Sequence, residues 1–296
     1  MRTMKIFKDL NPVSPFESAV ALGYFDGLHL AHRKIIDTVL KNSKRFIPSV
    51  FTFSGKGLDT NAIMTFDERL KALEDLGIQQ VWAPKFEDIK ALSAEEFFYD
   101  FLKTKLNAKM LCCGFNFRFG KNHSGDVSLL KTLCEKEGVE LIVIDEVRNT
   151  SSTAVRKAIK DAKCEDIKEM LGEYYFIESE VVHGANLGSK VLFPTINQRL
   201  NEQKLLPKKG VYVSKTVFNG CEYPSVTNIG SKPTVDSDGS VYAETHILDF
   251  NEDLYTKTVT VYLLKFLREE KKFDSIASLK NAMQEDIQKT REYFKK

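Results

Sequence analysis

Several features that would narrow the class of this chain quickly are scarce or missing. Its five cysteines, Cys112, Cys113, Cys134, Cys164 and Cys221, are odd in number and form no C-x-x-C pair. That argues against a disulfide framework and a cysteine zinc site, and it predicts free thiols in a reducing cytoplasm. No apolar run approaches ~18 residues, and the N-terminus has no apolar leader pattern, so neither a membrane span nor a signal peptide is expected. Charge of one sign is lacking too: 43 Lys and Arg against 41 Asp and Glu leave a net charge of +2. A dedicated nucleic-acid or membrane-surface binder would carry a larger excess. Internal repeats and low-complexity tracts are absent. What remains is an ordinary composition, 43% hydrophobic and 28% charged, over 296 residues. That length has room for two domains with separate cores.

The two halves differ in period. In the first, apolar β-rich stretches (Ala19–Leu22, Phe46–Phe53, Gln80–Ala83, Met110–Cys113, Val139–Ile144) alternate with helical patterns. Thr65-Phe-Asp-Glu68 and Ser93-Ala-Glu-Glu96 are capping boxes. The first opens a helix with Leu70, Leu73 and Leu76 inward, closed by Gly77; the second precedes Phe97, Phe98, Phe101 and Leu102. A further helix is expected from Asp126 to Lys136. Strands separated by helices predict a mainly parallel sheet that binds ligands at the C-terminal ends of its strands. The second half alternates loosely, with Val211, Val213 and Val217, a hairpin signal at Asn219-Gly220, and returning strands at Tyr223–Ile229, Tyr242–Phe250 and Thr258–Leu264. From Ser275 a last helix is expected, with Ile276, Leu279, Met283, Ile287 and Phe294 on one side. The second half therefore predicts an antiparallel sheet or barrel with a terminal helix. The boundary falls near Leu171-Gly172-Glu173, giving domains 1–172 and 173–296.

The most informative string is Gly23-Tyr-Phe-Asp-Gly-Leu-His-Leu-Ala-His32. It places two imidazoles, His29 and His32, after a glycine-bracketed turn between a strand and a helix. Backbone N–H groups and the helix dipole favour an anion at such a place. Taken alone, a histidine pair three apart is more often structural, and as a metal site it lacks a nearby third ligand. Position raises the phosphate reading. Two further strings accompany it: Gly114-Phe-Asn116-Phe-Arg118-Phe-Gly-Lys121, with Gly125-Asp126 after it, and Ser151-Ser152-Thr153-Ala-Val-Arg156. Singly, Phe117 and Phe119 read as core, and the hydroxyl run as a helix cap.

Together the three strings resemble the adenylyltransferase module of bacterial bifunctional riboflavin kinase/FAD synthetases. The resemblance implies a Rossmann-like α/β nucleotidyltransferase domain. It implies that His29 and His32 contact ATP phosphates, that Arg156 neutralises phosphate charge, and that Gly23, Phe25, Asp26, Gly27, Asn116, Arg118, Ser151, Ser152 and Thr153 form the nucleotide site. Positioning and electrostatic stabilisation suffice for that chemistry. Ala31 replaces a usual glycine, and Ser54-Gly-Lys-Gly57 stands where Pro-His-Pro is usual.

The second half resembles the riboflavin kinase barrel of the same family. The residues carrying this are Val182-His-Gly184, Phe193-Pro194-Thr195-Ile-Asn197, Asn228-Ile-Gly230, Pro233-Thr234, Glu244-Thr-His-Ile247, Asp253-Leu-Tyr255 and Arg268-Glu-Glu-Lys-Lys-Phe273. The resemblance implies that Thr195 and Asn197 hold Mg²⁺, that Glu244 is the general base, that Gly184, Gly188, Pro194 and Thr195 meet the nucleotide, and that Asn197 and Arg268 face the flavin. Ser189 and Leu192 depart from the usual arginine and glycine. Gly184–Lys190 is not a Walker loop, since neither its glycine spacing nor its Lys-Ser order fits.

The implied reactions are phosphorylation of riboflavin to FMN by ATP in the second half, and adenylylation of FMN to FAD with release of pyrophosphate in the first. The partners are then ATP, riboflavin and FMN, with Mg²⁺ and without nucleic acid or membrane; a homo-oligomer stays open. Two other readings use the same scaffold: one activity alone, or a non-catalytic flavin- or nucleotide-binding regulator. A pure binder has no need of Glu244.

Overall fold

A computed structural model of the chain describes residues 3–55, 60–147, 150–182, 193–231 and 240–295. Its contacts divide the chain into two compact units, Met1–Ser152 and Thr153–Lys296.

The first unit runs β1 (Lys5–Phe7), β2 (Ser18–Leu22), α1 (Leu30–Lys41), β3 (Ile47–Phe51), α2 (Phe66–Asp75), β4 (Gln80–Trp82), α3 (Phe86–Ile89), α4 (Ala94–Glu96) and β5 (Ala108–Gly114). A small hairpin, β6 (Arg118–Phe119) with β7 (Gly125–Asp126), leads to α5 (Val127–Glu137) and β8 (Glu140–Ile144). Six strands form one sheet in the order β1-β4-β3-β2-β5-β8, and every pairing in it is parallel. From β2 the chain first builds outward through β3 and β4, then crosses to β5 and β8. The switch point therefore lies between β2 and β5, where open α/β sheets bind their ligands. Both capping boxes form as expected, at Thr65 and Ser93.

The segment after the second box differs from expectation. Phe97–Lys105 winds as a π-helix, closed by a bond from the Leu106 N–H to the Phe101 carbonyl (3.0 Å). Phe97, Phe98, Phe101 and Leu102 are all buried. Phe51, Trp82, Phe97 and Phe101 then meet edge to face at 5.1–6.2 Å, which makes the core beneath the sheet aromatic.

The second unit takes in α6 (Ser152–Lys160) from Thr153 on, α7 (Cys164–Leu171), β9 (Phe176–Val182), β10 (Ile196–Arg199), β11 (Gly210–Phe218), β12 (Cys221–Ser231), β13 (Val241–Ile247), β14 (Thr258–Arg268) and α8 (Ile276–Phe294). The strands close into a barrel in the order β10-β13-β12-β11-β14-β9, antiparallel throughout. Asn219 and Gly220 both take positive φ (49° and 77°) in the tight turn between β11 and β12. The barrel interior is polar along one seam. Thr216, Ser225, Ser214, Thr227 and Thr245 are fully buried and bond hydroxyl to hydroxyl at 2.7–2.8 Å. Each hydroxyl can donate and accept, so the row satisfies itself without water.

Helix α8 starts at the expected cap, Ser275. Leu279, Met283 and Ile287 are half-buried on the expected side, but the fully buried residues of the helix are Asp286 and Thr290, and Ile276 (60% exposed) and Phe294 (39%) face outward. The cause is an ion pair. Asp286 accepts from Arg268 Nη2 (2.8 Å) and Nε (3.1 Å), tying the helix to the end of β14. All five cysteines are free thiols, and four of them are buried.

Candidate active sites

In the first unit, β2 ends at Leu22 and the chain turns sharply from Gly23. Phe25 (φ 59°) and Leu28 (φ 44°) are buried non-glycine residues in the left-handed region. Such conformations cost about 1–3 kcal/mol each and persist only where neighbours enforce them. Asp26 is one enforcer. Its buried carboxylate accepts from the N–H groups of Ile63 (2.9 Å) and Met64 (3.1 Å). Gly27 (φ 81°) is another requirement, since a Cβ there would meet Ile63 Cγ2 at 2.9 Å. Asp26 and Phe25 thus brace the turn from inside.

The turn delivers His29 to the N-cap of α1 and His32 to its first turn. The two rings stack with centroids 3.6 Å apart, and Phe25 meets His32 edge-on at 5.2 Å. Burial holds the His32 pKa well below 6.5, reinforced by His29 and by the Arg69 guanidinium. The imidazole is therefore neutral in the folded protein at neutral pH. Around this pair, Ser152 donates its hydroxyl to the Asp26 carbonyl (3.3 Å), so the hydroxyl run is anchored to the turn. Asn116 follows the C-terminal end of β5, across the switch point, and its Oδ1 lies 3.4 Å from where a Cβ on Gly114 would stand. Arg118 forms an exposed pair with Asp126 (3.1 Å), and Asp126 also caps α5 through Leu129 N–H. Phe119 is core and Phe117 stacks on it. Ser151 and Thr153 are exposed at the start of α6, and Arg156 lies in that helix, within the second unit. Lys56 and Gly57 lie outside the described residues.

Arg69, on α2, was not picked out in the sequence. It is 1% exposed and donates from Nη1 to the Tyr24 carbonyl (2.9 Å). In sequence it sits in an ordinary helical charge pattern, Asp67-Glu68-Arg69, and nothing there signals burial.

In the second unit, Asn197 and Asn228 pair with Glu244 from the strands on either side of it. Directly opposed residues share a face, so Asn197, Glu244 and Asn228 form a row across β10, β13 and β12. Ala243 and Thr245 point into the barrel, and the row therefore faces out of it. Asn228 also donates to Glu270 (3.3 Å). Thr195 immediately precedes β10. His246, two residues along the Glu244 face, places Nδ1 2.8 Å from the Pro194 carbonyl. A carbonyl only accepts, so Nδ1 carries the proton. Asn228 and His246 stood in the motifs read from sequence without a role assigned; the register puts Asn228 in the row and His246 two residues along the same strand face. Arg268, expected at the flavin, is engaged by Asp286. Gly184, Gly188, Leu192, Pro233 and Thr234 lie outside the described residues.

The comparisons with known proteins agree with this layout. A family model described as FAD synthetase matches residues 12–157, and one described as Riboflavin kinase matches residues 171–294. The chain is 34% identical to the bifunctional riboflavin kinase/FMN adenylyltransferase of Escherichia coli (strain K12), covering 98% of each. It is 31% identical to the protein of the same description from Bacillus subtilis (strain 168), covering 94% of this chain and 93% of that one. A solved structure described as a macrolide-efflux protein from Streptococcus pneumoniae superposes with a TM-score of 0.86 at 29% identity, covering 97% of this chain and 98% of that one.

Fold and comparisons define a class, enzymes that join a parallel nucleotidyltransferase sheet to a kinase barrel in one chain. The chain belongs to the family of bifunctional riboflavin kinase/FMN adenylyltransferases. Its activities are phosphorylation of riboflavin and adenylylation of FMN, which make riboflavin, FMN and ATP its substrates.

Proposed function

We propose that adenylyl transfer takes place at the His29–His32 turn and phosphoryl transfer at the Thr195–Asn197–Glu244 row, with a functional boundary at 172/173. The observation that carries this is the stacked histidine pair at the switch point of the parallel sheet, His29 buried and His32 half-buried. The imidazoles there donate N–H groups to phosphate oxygens, His32 as a neutral ring, alongside the N-terminus of α1. The FMN phosphate oxygen attacks the α-phosphorus of ATP and pyrophosphate leaves. His29 and His32 stabilise the charge that builds on the α-phosphate. Gly23, Gly27, Asn116, Arg118 and Ser151 to Thr153 shape the nucleotide site, and Asp26 and Phe25 fix the turn.

In the barrel, Glu244 orients the ribityl 5′-hydroxyl and takes its proton as that oxygen attacks the γ-phosphorus. Thr195 and Asn197 offer hard oxygen donors beside the Glu244 carboxylate, a set that fits Mg²⁺. Bound there, the ion would neutralise phosphate charge. Pro194, anchored through His246, holds Thr195 in register. No helix among the described residues is long and apolar enough to cross a membrane, so the efflux description of the pneumococcal relative finds no support here. Catalysis in the cytoplasm accords with the free thiols.

The test is an incubation with riboflavin, ATP and Mg²⁺, with flavins resolved by chromatography. FMN and then FAD are expected. Unconverted riboflavin would refute the kinase site. FMN that never becomes FAD would refute the adenylyl-transfer site.

A further inference from the structure

Arg69 is a fully buried guanidinium for which no carboxylate partner is found among the described residues. Its contacts are two main-chain carbonyls, Tyr24 O (2.9 Å) and Phe53 O (3.5 Å), and the faces of Tyr24 (4.5 Å to the centroid) and Phe66 (5.3 Å). Nε is buried and has no acceptor among the described residues. Carbonyls need a donor but not a charge, and a neutral amide would serve them. A buried charge without a counterion is expensive, so its retention calls for an anion. The location says which anion. Tyr24 opens the turn that carries His29 and His32, and Phe53 follows β3 on the far side of β2 from β5.

Building on the assignment of adenylyl transfer to this turn, we propose that Arg69 is a positioning residue whose missing counterion is the polyphosphate of the bound nucleotide. It has two effects. It straps the ends of β2 and β3 together through their carbonyls. Its charge also lowers the potential energy of phosphates arriving over the histidine pair, in a site where low dielectric lengthens the reach of charge. The groups facing His32 are His29 from the same turn, Arg69 from α2 and the Phe25 ring. Positive charge is supplied by the permanent cation of Arg69, and His32 stays a neutral donor.

The test uses the full-length protein and follows FAD formation from FMN over a range of ATP concentrations. Arg69→Met should raise the KM for ATP about tenfold or more, the scale of one lost charge-assisted interaction, while Arg69→Lys stays within about threefold. FMN formation from riboflavin should be unchanged in both. Proton NMR of the imidazoles should show the His32 titration moving up in Arg69→Met, because a nearby cation no longer opposes protonation, and staying low in Arg69→Lys. A KM in Arg69→Met within twofold of the parent would overturn the proposal. So would equal losses in Met and Lys variants, which would mean shape rather than charge. If Arg69→Met does not fold, Arg69→Lys decides alone: a small change in KM supports the proposal and a tenfold rise overturns it. His32→Ala separates this from the site assignment. If that variant still makes FAD, the assignment itself fails; if it stops FAD while Arg69→Met changes nothing, only the role of Arg69 falls.

Discussion

The two units take the same substrate, ATP, and offer it candidate groups of different kinds. In the first, a strained turn carries two stacked imidazoles, with His29 buried and His32 half-buried. In the second, half-buried Glu244 stands between buried Asn197 and half-buried Asn228, on strands of a barrel whose interior is hydroxyl-lined. The cores differ too, aromatic in one and polar along a seam in the other. Lowering the pKa of a histidine keeps it neutral over a wider pH range, whereas a carboxylate between two amides is held by hydrogen-bonding groups on its own sheet face.

The largest effect should come from Glu244→Gln, which keeps shape and removes the base. FMN formation should fall about 10²–10⁴-fold, the usual range for general base catalysis, while FAD formation from added FMN is kept. Equal loss of both would erase the contrast between the units. Next is stability in the barrel unit. Asp286→Ala strands Arg268 beside α8 and should cost about 3–5 kcal/mol, read from the second transition in denaturant. A loss confined to the first transition would contradict the assignment of that pair.

A smaller effect distinguishes the units by pH. The unfolded chain takes up a proton on His32 near 6.5, and the folded one only well below that. Stability from this group is therefore full above 6.5 and declines as pH falls toward the folded value. The first unit should lose stability on that acid side, and His32→Asn should flatten the slope. The smallest effect is Thr65→Ala, which removes one side of a capping box and should cost about 1 kcal/mol in the first unit alone.

Much of this was legible in the residues. Thr65 and Ser93 announced their helices because a capping box is local chemistry. Asn219-Gly220 announced its hairpin for the same reason. The His29–His32 turn was readable as a phosphate site because strand, glycine turn and helix follow one another in sequence. What stayed hidden depended on distant partners. Asp286 is buried only because Arg268 reaches it from another element. Arg69 is buried only because the turn at Tyr24 folds over it. Phe97–Lys105 winds as a π-helix, and its apolar spacing of i, i+1, i+4 and i+5 fits an α-helical face as well, so the sequence does not distinguish the two. Asn228 joins Glu244 through strand register, which sequence alone does not set.

The central claim is that one chain holds two separable sites. Mixing His32→Ala with Glu244→Gln tests it most directly. Supplied with riboflavin, ATP and Mg²⁺, the first variant should stop at FMN and the second should leave riboflavin untouched. Together they should make FAD, each providing the step the other lacks. A mixture that yields no FAD, or either variant losing both steps by itself, would contradict the account.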